Sequence, residues 1–205
     1  MKTTALILFL ISLTSGIAAA PTVDDHTPPE PVVEIAQTPR PVVEIAGTPE
    51  QIALAEKAVA RFDAAGLDLP SLAITFHDHR GGCRGNNGVF RMMGGRGEVE
   101  VCRPTMFLLL HELAHAWEAH TMDDTMRNRV EGYWKVDNWN DHSQSANDRG
   151  TEKVANAVAF ALDDPPELPN ETMRRNLCTY QMVTSNDVGA GIELACPALS
   201  DQDPR

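Results

Sequence analysis

Phe107-Leu108-Leu109-Leu110-His111-Glu112-Leu113-Ala114-His115-Ala116-Trp117-Glu118-Ala119-His120 is the stretch on which the reading of the fold turns. The apolar run from Met106 to Leu110 marks a helix that belongs to a core. Pro104 stands where a first helical turn tolerates it, so the helix is expected over 104–120. Inside it lies His-Glu-x-x-His. At 3.6 residues per turn, His111 and His115 point about 40° apart, one turn displaced. Two imidazoles on one face can both reach a zinc ion. Glu112 lies beside them rather than opposite, where a carboxylate can take a proton from a water that the metal has acidified. The spacing therefore supplies two metal ligands and a general base. The rival reading is a surface helix whose histidines do nothing, and the apolar run argues against it.

Upstream, the first twenty residues read as a secretory signal peptide: Lys2, an apolar core from Ala5 to Leu13, then Gly16 and Ala18 to Ala20. The core is too short for a comfortable membrane span, and no other long apolar run follows. The expected location is secreted, periplasmic or otherwise extracellular, with no membrane contact after signal cleavage. The formal net charge of the 205 residues is −12. Losing Lys2 with the leader takes it to about −13, counted as charge patterning requires. Such a surface disfavours nucleic acid and anionic membrane as partners. Four cysteines, Cys83, Cys102, Cys178 and Cys196, suggest disulfides in an exported protein. Of the three possible pairings, local closure favours Cys83–Cys102 and Cys178–Cys196. Free buried thiols and cysteine zinc ligands are the alternatives, and the lack of Cys-x-x-Cys argues against the second.

The stretch 21–47 reads as a proline-rich linker. It holds a ten-residue tandem repeat, Pro31-Val-Val-Glu-Ile-Ala-Gln-Thr-Pro-Arg40 followed by Pro41-Val-Val-Glu-Ile-Ala-Gly-Thr-Pro-Glu50. Regular prolines favour extended backbone and a passive spacer. Val-Val-Glu-Ile also has strand propensity, which leaves room for a propeptide or a partner-binding strand. The folded domain is expected over 48–200, with 201–205 a frayed tail. Thr48-Pro49-Glu50-Gln51 reads as N-cap, first-turn proline and capping-box glutamine. Leu72, Ile74 and Phe76 alternate as a strand, and His77 to His79 read as solvated loop residues. Val89–Met93 and Glu98–Cys102 flank Gly94-Gly95-Arg96-Gly97 as a hairpin. The long polar segment from Met122 to Asp148 carries Tyr133, Trp134, Trp139 and His142; its tryptophans either line a cleft or cap the core. Gly150 to Leu162 is a strong helix pattern, and a last helix starts near Asn170. Helices segregated from a short mixed or antiparallel sheet make the expected class α+β.

His111, Glu112 and His115, with the downstream Gly150-Thr151-Glu152, resemble the zincin metallopeptidases. The resemblance covers about half of the mature chain. It implies a small zincin-like domain, one Zn2+ ion, and hydrolysis of peptide bonds in peptide or protein substrates by a monomer. It also implies that an edge strand beside the zinc helix holds extended substrate. A catalytic zinc takes three protein ligands and leaves one position open. A metzincin's third histidine would fall at Thr121, and Glu118 replaces that motif's glycine, so the chain departs from that branch. His120 points about 140° away from His115 on a continuous helix. A helix bearing Glu152, with Asn156 four residues later, is similar to the gluzincin arrangement. That likeness implies Glu152 as third ligand and Asn156 as a partner orienting a ligand histidine. Gly150-Thr151-Glu152 is also similar to the Gly-Thr-x-Asp of deuterolysin-like peptidases, so the subgroup stays open. Tyr133, His142 and Tyr180 are candidates to stabilise an oxyanion. The alternative function is a non-catalytic extracellular binding module on the same fold, with zinc structural or absent.

Overall fold

A computed structural model describes residues 41–143, 145–164, 170–186 and 196. The expected signal peptide, the first copy of the repeat and the tail lie outside the described residues. Chain order is β1 (Val43–Ala46), α1 (Pro49–Ala64), β2 (Leu72–Phe76), β3 (Gly88–Met93), β4 (Arg96–Val101), α2 (Met106–Thr121), α3 (Asp124–Trp134), a 3-10 turn (Ala146–Asp148), α4 (Gly150–Leu162) and α5 (Glu171–Thr184). This is the expected α+β class. The sheet is mixed, in the order β1-β2-β4-β3. β1, β2 and β4 run parallel, with Val43 opposite Leu72 and Leu72 opposite Gly97, and β3 returns antiparallel to β4.

The expected linker of 21–47 ends too late, because Val43–Ala46 is a sheet strand. Its alternating Val-Glu-Ile-Ala half-buries Val43 and Ile45 against the core and turns Glu44 outward, so strand propensity outweighs the bias of the flanking prolines. The second copy of the repeat is adapted to this place. A Cβ on Gly47 would come within 2.8 Å of the Phe76 ring, and the first copy has Gln37 at the matching position.

α1 begins as expected: Thr48 accepts from the Gln51 N–H, and the Gln51 side chain accepts from the Thr48 N–H. Gly66, at φ 66°, follows its end. The helix of the His-Glu-x-x-His motif starts two residues later than expected. Its N-cap is Thr105, whose hydroxyl accepts from the Leu108 N–H, and Pro104 precedes the cap. α2 is buried on several faces because it lies between the sheet and α4 and also touches α1. Leu109, Leu110 and Leu113 are fully buried. Each contributes about 1.5–3 kcal/mol in transfer from water, which dwarfs the helix's own propensity. α4 packs between α2 and α5, and its buried Val154, Ala155, Ala157, Val158 and Ala159 are small enough for close approach on both sides.

The long segment after α2 is not all loop. Asp123 caps α3, which packs on α4. The tryptophans pack against the core: Trp134 donates to Thr179 Oγ1 of α5, and Trp139 reaches back to α2. Cys83–Cys102 and Cys178–Cys196 are both at bonding distance, as expected from local closure. The first ties the loop after β2 to the end of β4, beside the Asn87 carbonyl that accepts from the Cys102 and Arg103 N–H groups. It thereby anchors the start of β3 next to the start of α2. No helix among the described residues is long and apolar enough to cross a membrane.

Candidate metal centre

His111 and His115 sit one turn apart on α2, with ring centroids 4.8 Å apart and planes at 88°. Glu152 enters from the first turn of α4, which packs along α2. Its Oε2 is 3.3 Å from His111 Nε2 and its Oε1 is 3.8 Å from His115 Nε2. One ligand atom from each of the three lies within 4.8 Å of the others. Two atoms each about 2.0–2.1 Å from a tetrahedral ion stand roughly 3.3 Å apart, so the His111–Glu152 spacing fits a shared cation and the wider ones would close around it. Two imidazoles and a carboxylate can hold a metal ion, and the three side chains retain some exposure, so an ion could enter. His120 is exposed in the last turn of α2 and belongs to no such group among the described residues.

The electrostatics suit a cation. Burial alone would raise the Glu152 carboxyl. The His111 hydrogen bond and the charges of His115, His111 and Arg149 override it and hold the group at about 2. Arg149 Nη2 lies 3.1 Å from Glu152 Oε1, and Arg149 Nη1 lies 2.7 Å from His142 Nδ1. Glu112 is only 5 % exposed. Burial pushes its carboxyl up, and the charges of His115 and His111 push back without reversing the shift. A Cβ on Gly88 would meet Glu112 Oε1 at 2.7 Å. Glycine at the start of β3 therefore lets this edge strand lie directly on the carboxylate.

Not every expected residue joins the centre. Asn156 bonds to neither histidine: His115 Nδ1 lies 3.1 Å from Thr151 Oγ1, and His111 Nδ1 is buried without a partner. The reason is the rotation of α4 against α2, which puts Thr151 rather than Asn156 at His115's outer nitrogen. Among the described residues, His142 reaches Glu152 only through Arg149. Tyr133 packs against Trp134 and under Arg175, which donates to its carbonyl oxygen. Tyr180 is buried on α5 and lines a cavity with Arg61, Leu162 and Asn186.

Side chains outside the motif also shape the centre. Glu118, 4 % exposed, accepts from Thr151 Oγ1 at 2.7 Å and from Trp139 Nε1 at 2.9 Å. A glutamate three residues after His115, inside a core helix, was the available signal, because a buried carboxylate needs donors. Gly150 makes room for this arrangement: a Cβ there would come within 2.5 Å of the Trp139 ring. The Asn138 and Trp139 carbonyls accept from the Gly150 and Thr151 N–H groups, replacing the missing side-chain cap at Arg149.

Comparison with protein families, with curated proteins and with solved structures finds no match to this chain. The geometry of the centre therefore carries the functional reading.

Proposed function

We propose that the protein is an exported zinc metallopeptidase of gluzincin type. The observation that carries this reading is the convergence of His111, His115 and Glu152, with Glu112 between the two histidines in sequence and beside them in space. Two imidazoles and one carboxylate make a donor set suited to a catalytic zinc with a position left open. Bound there, zinc would supply Lewis acidity toward a peptide carbonyl and toward water. Glu112 takes the proton of the attacking water on a carboxylate oxygen and passes it to the leaving amine. Its burial favours this work, because a raised carboxyl pKa suits a group that must first accept and then return a proton near neutrality. β3 forms one edge of the sheet and crosses Glu112 at Gly88, so its outer backbone edge can align an extended peptide by strand addition. Two disulfides fit an extracellular protein, which supports export.

The test is Glu112→Gln, which keeps the size and removes the base. The variant should hold stoichiometric zinc and lose about 10²–10⁴ in the rate of peptide-library cleavage. Wild-type cleavage by a zinc-loaded variant would falsify the peptidase reading. Zinc bound with no cleavage by either protein would leave the binding module as the better account.

A further inference from the structure

Thr151 Oγ1 lies between a histidine nitrogen and a carboxylate, and this fixes where the protons go. Its one hydroxyl proton is given to Glu118 Oε2 at 2.7 Å. A hydroxyl carries a single proton, so none is left for a second donated bond. Thr151 Oγ1 must then accept from its other neighbour, His115 Nδ1, at 3.1 Å. At 3.6 Å, His115 Nδ1 is too far from Glu118 Oε2 to bond it directly. The second carboxylate oxygen is held by Trp139 Nε1 at 2.9 Å. The proton order thus runs His115 Nδ1–H to Thr151, Thr151 O–H to Glu118, and Trp139 N–H to Glu118.

We infer that Thr151, backed by Glu118 and Trp139, is a positioning residue that fixes His115 as the Nδ1–H tautomer, with the Nε2 lone pair directed at Glu152. Its value for metal binding rests on the metallopeptidase reading; the tautomer itself does not. The assignment also explains three consecutive residues at once. Gly150 clears space for the Trp139 ring, Thr151 orients one ligand, and Glu152 is another. α4 therefore brings a ligand and the orienting group for a ligand of α2 into place with a single docking.

Two variants separate this from a merely structural threonine. Thr151→Val removes the hydroxyl and keeps the shape, whereas Thr151→Ser restores the hydroxyl. Glu118→Gln makes a sharper prediction. Trp139 N–H still demands an acceptor, so the new amide turns its oxygen to Trp139 and its NH2 to Thr151. Thr151 then has His115 Nδ1 in place of Glu118 as the acceptor beside it, and the expected result is a histidine shifted to the Nε2–H tautomer.

The experiment is ¹⁵N NMR of histidine-labelled, metal-free protein at a pH where the imidazoles are neutral, paired with chelator-competition titrations of Zn2+. Wild type and Thr151→Ser should show His115 with Nδ1 protonated. Thr151→Val should show a tautomer mixture, and Glu118→Gln mainly Nε2–H. Both of these variants should lose about 10–100-fold in Zn2+ affinity, and Thr151→Ser should recover most of it. Circular dichroism establishes that each variant is folded before it is compared. An Nε2–H His115 in the wild type, or a tautomer unchanged by both Thr151→Val and Glu118→Gln, overturns the inference. If the wild type shows the expected tautomers but binds no Zn2+, the inference stands and the metal reading falls.

Discussion

At the scale of single residues, the centre is a carboxylate held among three basic side chains. In the metal-free protein Glu152 leans on His111, His115 and Arg149, which hold it at about 2 against an ordinary 4.5. A lowered carboxyl pKa contributes stability that is present above the unfolded value and is lost as pH falls through the folded one. The metal-free protein should therefore lose stability between about pH 4.5 and pH 2. The contribution is on the order of 3 kcal/mol, and Glu152→Gln should lack that part of the acid limb. Urea unfolding across this pH range checks it, and superimposable profiles for the two proteins would refute it. Metal titrations test the ligand assignment separately. Glu152→Ala should bind Zn2+ much more weakly, whereas His120→Ala, altered only at an exposed helix end, should bind as wild type does. The reverse pattern would overturn the ligand set. The identities of His111, Glu112 and His115 were legible from spacing alone, since a helix turns i and i+4 to one side by covalent geometry. Asn156 shares a face with Glu152 but bonds neither histidine, because helical spacing gives phase within α4 and not the rotation of α4 against α2.

At the scale of elements, α2 and α4 form one unit, and Trp139 is what locks them. Its ring lies on Gly150 of α4 while its N–H holds Glu118 of α2. Gly150→Ala is a severe test. Helix propensity alone would favour alanine by about 1 kcal/mol. The Cβ, however, would sit 2.5 Å from the Trp139 ring, backed by the core. Overpacking of this kind costs about 1–3 kcal/mol, so the clash wins. The variant should melt at lower temperature and bind Zn2+ less tightly, because Thr151 and Glu152 follow Gly150 directly. A variant with a raised melting temperature and unchanged Zn2+ affinity would show that the contact between ring and glycine does not matter. The hairpin of β3 and β4 and the capping of α1 were legible because each is decided within a few residues, by turn glycines and by a capping box. Helix α3 was not legible, for the opposite reason. Only Val130 among its residues is fully buried, so its sequence carries little apolar periodicity, and packing on α4 holds it.

At the scale of the molecule, the sheet begins earlier than the proline-rich sequence suggests, and a truncation can locate its true start. A chain beginning at Pro41 keeps β1 and its pairing with β2. One beginning at Thr48 loses that strand and exposes the edge of β2, although the cap of α1 survives. Val43 and Ile45 are half-buried, so their loss should cost about 1–3 kcal/mol of apolar contact. The shorter chain should unfold at lower denaturant than the longer one. Equal midpoints would mean that β1 contributes nothing to the fold. The Cys83–Cys102 link acts at the same scale, since it holds the approach to β3 against the start of α2 and so keeps Gly88 over Glu112.

Features decided at short range are legible in the residues alone: the α+β class, the hairpin, the caps, the local closure that favours the two disulfide pairs, and two imidazoles and a carboxylate on one helical turn. The sequence also pointed to Glu152, because a separate helix was needed to bring a further donor. The way α4 lies on α2 exists only in the folded chain. That rotation brings Glu152 to the histidines, turns Thr151 rather than Asn156 toward His115, and encloses Glu118 with Trp139 above it. The physical reason is that covalent geometry sets the direction of a side chain relative to its own helix. Its distance from a residue of another helix is set by packing, through close contacts such as Trp139 on Gly150.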